Sequence, residues 1–295
     1  KKTWPCGPAS ALPTLMRVTA HHIHELSLGD LYTVSTDKIL VDATNGVATI
    51  TFNNPEKLNA VSLDMWEAVE SALDRFENDA EIRVLVVTGA GGKAFVSGAD
   101  ISKFESERAT KEGVEAYGQA TKRCYDRIEA FPKPTIAKIN GYCIAGGLNL
   151  ALCCDVRICS DKSRFALPAA KLSLGYGMDS LRRLVNVMGP GATRDICYSA
   201  RQLNTDEAYA RRLADQVVPE SELEQTVADY AQRIAGNAPL TIAAMKFITC
   251  ELLKDPELRD VARGEAMVQA CFESEDYIEC RRAFMEKRKP QFKGA

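Results

Sequence analysis

TIAKINGYCIAGGLNLALCCD, residues 135–155, is the stretch on which the fold turns. Thr135–Ile139 is a short apolar run of strand length, and Gly141 ends it. Tyr142-Cys143-Ile144-Ala145 leads into Gly146-Gly147, after which a helix reads through to Cys154. Glycines at a strand-to-helix corner let the backbone turn sharply and leave amide donors that the helix does not use. The helix N-terminus adds a field that favours negative charge. A second corner of the same kind stands upstream in Lys93-Ala94-Phe95-Val96-Ser97-Gly98-Ala99-Asp100-Ile101. Brought together, two such corners can hold an oxyanion between their N–H groups. On spacing alone, each also reads as an ordinary turn.

Outward from these corners, strands and helices alternate. Folded sequence begins at Lys38. Ile39–Ala43 and Val47–Phe52 flank Asn45-Gly46, a pair that tolerates the positive φ of a tight hairpin turn. A helix is predicted from Ser62 to Asp79, with Met65, Val69, Leu73 and Phe76 on one face. Arg83–Thr88 is a continuous apolar strand of the kind buried on both faces. The loop Gly89–Gly98 follows, then a helix near 111–130 with Val114, Tyr117, Thr121, Cys124 and Ile128 on one stripe. Val156–Cys159 is a further strand. Beyond Thr205 the pattern is helical: Thr205 caps a helix opened by Asp206 and Glu207, Gly236 stops the next, and Pro239 opens another. The expectation is an α/β core over residues 36–235 and a helical region over 236–295. Residues 1–35, acid-poor up to Glu25, read as a peripheral extension, a remnant of expression or a transit peptide.

The 295 residues carry 37 Lys and Arg against 40 Asp and Glu, a net charge of −3 that disfavours nonspecific nucleic-acid binding. A run such as Arg281–Lys293 reads as a solvated helix face rather than an RNA site. No apolar stretch reaches the ~20 residues of a membrane span. Ten cysteines without a CxxC pair, several inside apolar runs, read as reduced core residues in a reducing compartment. His21, His22 and His24 are the only histidines. The rest of the chain therefore lacks the commonest acid–base group and metal ligand, which argues against a metal site and leaves Ser97 and Cys143 without a partner base.

GVATITFNNPEKLNA (46–60), AFVSGADISK (94–103) and NGYCIAGGLNLALCCD (140–155) resemble the crotonase, or enoyl-CoA hydratase/isomerase, superfamily. The similarity continues through Phe165–Pro168, Leu213–Pro219 and the terminal EKRKPQF, in order over residues 38–293. The resemblance implies a spiral of ββα units with a C-terminal helical trimerisation region. It also implies an oxyanion hole made by the amides of Ala99 and Gly146 for the thioester of an acyl-CoA. Lys57, Leu58 and Ala60 would lie beside the bend of coenzyme A, with Asp100 and Ile101 on its far side and Ser97, Tyr142 and Pro168 in the same binding region. Phe284 and Lys287 match positions that in relatives reach coenzyme A from a neighbouring subunit; they also read as an ordinary amphipathic helix end. No cofactor is implied beyond the coenzyme A of the substrate. The implied assembly is a homotrimer or a dimer of trimers, and the setting fatty acid metabolism in the cytoplasm, or in the mitochondrial matrix if residues 1–35 are a transit peptide.

Departures from the family pattern carry the functional question. Hydratases of this family place one glutamate after the second glycine turn and another after the later proline. Matching along the motif puts Asn149 and Ala169 there. An amide positions water or a carbonyl but has no useful acid–base pKa, and alanine moves no proton. Efficient hydration of an enoyl-CoA is therefore in doubt, while isomerisation, thioester hydrolysis, decarboxylation and retro-Claisen cleavage use the same polarised thioester. The segment Lys171–Asp179, with Tyr176, matches the family's substrate loop, and Asp179 is its one carboxylate. In an apolar acyl pocket its pKa would be raised, fitting it as a base; alternatively it caps the helix containing Leu181–Val187. The alternative function is a CoA-thioester-binding protein with little or no catalysis.

Overall fold

Alternating hydrophobicity and one tight turn start the fold. The structure, a computed structural model, describes residues 34–107 and 109–295. The three histidines and nearly all of the segment 1–35 lie outside the described residues. β1 (Ile39–Thr44) and β2 (Val47–Phe52) pair antiparallel across Asn45 (φ 52°) and Gly46 (φ 79°), the positive dihedrals a two-residue hairpin demands. α1 (Leu63–Asn78) then buries Met65, Val69, Leu73 and Phe76.

From there the chain repeats one unit, two strands and then helix. β3 (Val84–Gly89) and β4 (Ala94–Val96) lead to the short α2 (Phe104–Glu107) and to α3 (Lys111–Glu129). β5 (Thr135–Ile139) and β6 (Tyr142–Ile144) lead to α4 (Gly146–Cys153); β7 (Val156–Ser160) and β8 (Arg164–Ala166) lead to α5 (Met178–Ser199). β9 (Gln202–Leu203), α6 (Thr205–Ala210), β10 (Gln216–Val218) and α7 (Leu223–Ala235) close the spiral. The first strand of each unit joins one sheet, in order β1-β2-β3-β5-β7-β10, parallel from β2 onward. The second strand of each joins another, in order β4-β6-β8-β9.

The continuous apolar run of β3 shows why such strands cannot alternate. Leu85 and Val87 face the main core with Phe95, Ile139 and Phe165, whereas Val84 and Val86 pack under Leu223, Val227 and Ala231 of α7. Five cysteines, at 124, 143, 153, 154 and 159, are buried free thiols, as small core residues. α8 (Pro239–Leu252), α9 (Val261–Glu273) and α10 (Glu275–Glu286) form the C-terminal helical region, with Pro239 in the first turn of α8.

Several local expectations need correction. The segment 89–98 is not a plain loop, because Ala94–Val96 pairs with β6. The chain beyond Thr205 is not wholly helical, since β10 adds to the edge of the larger sheet beside β7. Both strands have three residues, too few for periodicity to show. Asn204, not Thr205, caps α6, in a capping box with Glu207. Val114 is 53% exposed; the inward face of α3 is Tyr117, Ala120, Cys124, Tyr125 and Ile128.

Candidate active site

The two glycine corners meet. Gly98, at φ 109°, follows β4, and Gly146 opens α4 after β6, the neighbouring parallel strand. A Cβ added to Gly98 would lie 3.6 Å from the Gly146 nitrogen; one added to Gly146 would lie 3.5 Å from the Gly98 Cα. Ala145, the N-cap of α4, holds φ 51° and ψ −113°, a conformation that costs a non-glycine residue of order 1–3 kcal/mol. Its N–H is donated to the Ala166 carbonyl at 2.9 Å, which fixes the corner against β8. A side chain on Gly147 would meet the Val96 carbonyl oxygen at 1.9 Å, so only glycine permits this approach of α4 to β4. Among the described residues, neither the Ala99 N–H nor the Gly146 N–H is donated to a protein acceptor. Two donors thus remain for a ligand at abutting corners, one of them at a helix N-terminus.

The segment 57–61 is laid along the first corner by main-chain bonds. Ser97 N–H is donated to Leu58 O at 3.2 Å, Val61 N–H to Gly98 O at 2.8 Å and Asp100 N–H to Val61 O at 2.9 Å. Lys57, half in solvent, reaches the buried Asp100 carboxylate at 2.9 Å and the Ser102 hydroxyl at 2.6 Å. Burial pushes the Asp100 pKa up, but the Ser102 and Lys57 contacts outweigh it and hold the group below the usual carboxylate range. Lys57, Leu58, Ala60, Ser97, Ala99 and Asp100 therefore share one patch, with Ile101 exposed beside it. Asn59 was not expected from sequence: it is fully buried and donates to Ala90 O at 2.9 Å and Ala94 O at 2.8 Å. Its signal was a polar residue between Leu58 and Ala60 that needs partners if buried.

On α4, Asn149 lies one turn beyond Gly146 on the same face, its side chain leaning back toward the helix start. It is 3% exposed, and its Oδ1 accepts no hydrogen bond from the described residues. Tyr176, on the loop ahead of α5, is half-buried. Burial pushes that phenol up to about 12, with Asn149 pulling the other way. Pro168 and Ala169 open a short 3-10 turn whose Ala169 carbonyl accepts from Leu174 N–H at 3.1 Å, folding the loop toward Tyr176. Tyr142, on β6, is 40% exposed.

Asp179 does not lie in an apolar pocket. It is exposed, in the first turn of α5, and pairs with Lys122 of α3 at 2.9 Å. Lys122 lowers its pKa, which overturns the expected rise. The cap reading is corrected too, since Gly177 is the N-cap. Cys143 is fully buried, and burial pushes its thiol well up, so it is no nucleophile; the Ser97 hydroxyl only bonds the Lys57 carbonyl, at 3.4 Å. Tyr125 of α3 is a second residue the sequence reading missed. Its hydroxyl donates to the Gly146 carbonyl at 2.8 Å, and its ring meets Trp66 edge-on at 5.4 Å. A buried tyrosine must place its hydroxyl, and that requirement was the available signal. Phe284 and Lys287, at the exposed end of α10, make no described contact with this site within one chain. No group of metal-ligating side chains comes together among the described residues, and no described helix is long and apolar enough to cross a membrane.

A spiral of parallel ββα units with abutting glycine corners is the architecture of the crotonase fold. The family model described as enoyl-CoA hydratase/isomerase matches residues 42–295. The chain belongs to that family. It is 33% identical over 258 residues to a short-chain-enoyl-CoA hydratase of Clostridium acetobutylicum, a match covering 86% of this chain and 96% of that one. It is also 33% identical over 252 residues to a carnitinyl-CoA dehydratase of Salmonella typhi, covering 84% and 95%. A solved enoyl-CoA hydratase/carnithine racemase from Magnetospirillum magneticum superposes with a TM-score of 0.83 at 35% identity, covering 90% of this chain and 98% of that one. The crotonase fold and an enzyme of the hydratase/isomerase type are thereby established for this chain.

Proposed function

We propose that the protein binds an acyl-CoA with its thioester oxygen between the N–H groups of Ala99 and Gly146, and that turnover passes through an enolate-like state. The observation that carries this reading is the pair of undonated N–H groups at corners so close that a side chain on either glycine would reach the other. Lys57, Leu58, Ala60, Asp100 and Ile101 form the coenzyme A side of the site. Ser97, Tyr142, Pro168, Ala169 and Tyr176 belong to the substrate region. Asn149 orients water or the acyl group. Efficient hydration is not its reaction, because Asn149 and Ala169 supply no proton-transferring carboxylate. Residues 36–235 form the acyl-CoA-binding core and 236–295 the oligomerisation region. Exposed Met245, Leu252, Leu253, Phe272, Phe284 and Met285 support burial of that region in a homotrimer or dimer of trimers. In that assembly Phe284 and Lys287 reach a neighbour's coenzyme A.

One observation favours a second reading, binding with little turnover. Asp179, the carboxylate offered as the base, is ion-paired and titrates low. Incubation with a panel of acyl-CoAs, followed by mass spectrometry, separates the two. New product from any thioester supports catalysis; tight binding of every thioester without product supports the second reading; binding no tighter than that of a thioether analogue lacking the carbonyl overturns both.

A further inference from the structure

Both glycine corners are held from one helix. The buried face of α3 carries Tyr117 and Tyr125, and each sends its hydroxyl to a different corner. The Tyr117 hydroxyl donates to the Val61 carbonyl at 2.9 Å, and the same carbonyl accepts the Asp100 N–H at 2.9 Å. Val61 donates its own N–H to the Gly98 carbonyl at 2.8 Å. That carbonyl and the Ala99 N–H share one planar peptide group and point in opposite directions, so drawing the carbonyl toward Val61 turns the N–H away from it. At the other corner the Tyr125 hydroxyl donates to the Gly146 carbonyl at 2.8 Å. Trp66 of α1 joins the two tyrosines. Its indole N–H donates to the Tyr117 oxygen at 3.2 Å, and its ring meets that of Tyr125 edge-on at 5.4 Å. An indole only donates, so the phenol keeps its hydrogen for Val61 and the relay runs one way. The Arg183 guanidinium, paired with Asp126 and Glu129 of α3, lies 5.8 Å from the Tyr125 ring centroid. All four side chains are buried, where hydrogen bonds do not compete with bulk water.

We infer that Trp66, Tyr117 and Tyr125 are positioning residues, a buried brace that sets the spacing and direction of the Ala99 and Gly146 N–H groups. The inference rests on the oxyanion-hole reading and extends it to side chains that touch no substrate. Backbone donors stabilise a developing oxyanion only when both are aimed at one point, so a small rotation of either corner weakens the pair. The sheet leaves part of that alignment open. β4 and β6 pair irregularly, with a register shift between Ala94 and Val96 just ahead of the first corner. The brace supplies a second tie between the corners, through α1 and α3 rather than through the strands. Removing either the indole N–H or the Tyr117 hydroxyl breaks the relay to Val61 and leaves the strand pairing intact.

The test uses the whole protein and butyryl-CoA labelled with carbon-13 at the thioester carbonyl. Infrared difference spectra read the carbonyl stretch of the bound thioester, and calorimetry reads its affinity. Binding to the parent should move the stretch to lower frequency, as donors polarise the carbonyl. In Tyr117→Phe and Trp66→Phe that shift should shrink, with butyryl-CoA affinity kept within a few-fold. Val227→Ala, in the separate core beneath α7, is the control for general loosening. It should lower the melting temperature and keep the full shift. Tyr117→Phe removes a single oxygen atom and Trp66→Phe reshapes a ring, so a folding defect in one leaves the other decisive. A full shift in the folded brace variants, or an equal loss in Val227→Ala, overturns the brace and leaves the oxyanion hole standing. A stretch that binding to the parent does not move overturns the oxyanion-hole reading itself.

Discussion

The α4 corner and the loop ahead of α5 are held by opposite means. The corner is backbone against backbone. Ala145 is tied to Ala166, Gly147 presses on the Val96 carbonyl, and the Tyr125 hydroxyl takes the Gly146 carbonyl from behind. The loop Lys171–Gly177 is exposed apart from the half-buried Tyr176, with Leu172 and Leu174 more than half in solvent. Its one carboxylate neighbour, Asp179, is tied to Lys122 rather than to the site. A function built from main-chain N–H groups is insensitive to most side-chain changes, whereas acid–base chemistry depends on one atom of one side chain. Thioester polarisation can therefore persist in a chain whose proton chemistry has changed.

The comparison breaks most visibly in an assay for crotonyl-CoA hydration. With an amide at 149 and a methyl group at 169, the rate should fall short by about 10²–10⁴ for each missing acid–base group. Introducing Asn149→Glu together with Ala169→Glu should recover part of that deficit, because the main-chain corner is untouched. Hydration by the unmodified protein at rates typical of efficient enzymes would show that another side chain supplies the proton.

Next in size is the corner itself. Gly146→Pro removes one donor of the pair and should lower turnover of the native acyl-CoA by about 10²–10³, or ~2.7–4 kcal/mol of transition-state stabilisation. Proline is tolerated in the first turn of a helix, but its Cβ would meet the Tyr125 hydroxyl at 3.1 Å, so the rate is read only where circular dichroism and melting temperature match the parent. Unchanged turnover in a folded variant would remove Gly146 from the oxyanion hole.

Tyr125→Phe probes the support behind the corner. Losing the hydrogen bond to the Gly146 carbonyl should cost about 0.5–1.5 kcal/mol, read as a kcat reduced up to about 10-fold with KM nearly kept. An equal change in KM with kcat intact would mean that Tyr125 serves binding and does not hold the corner.

The long periodic elements were legible from sequence, and so were the glycine corners. β3 is apolar throughout, α1 shows a clear face, and Asn45-Gly46 encodes its own turn. What escaped was set by partners distant in the chain. β10 is three residues that become a strand because β7 offers an edge. The inward face of α3 could not be told from Val114 onward without knowing that Trp66 lies opposite Tyr117 and Tyr125. Asp179 was misjudged for the same reason. Nothing between residues 171 and 180 announces Lys122, which arrives from another helix and reverses the sign of the pKa shift.

Asp179→Asn carries the smallest expected effect and sharpens the comparison most. The side chain is half exposed, and its pair with Lys122 is open to water and salt, so its contribution to stability should be no more than about 0.5 kcal/mol. The folded-state pKa is lowered below that of the unfolded chain. The contribution is therefore present above the ordinary carboxylate range, about pH 4, and is lost as pH falls through the lowered value. Thermal unfolding of the Asn variant and the parent should differ slightly at pH 7 and converge in acid. Turnover of the native acyl-CoA should stay within about 3-fold, because a carboxylate held charged by an ammonium group is a poor proton carrier near neutrality. If the Asn variant instead loses turnover while acyl-CoA affinity and melting temperature are kept, Asp179 must leave Lys122 in the substrate complex. Its low pKa would then describe the resting ion pair, not the catalytic state.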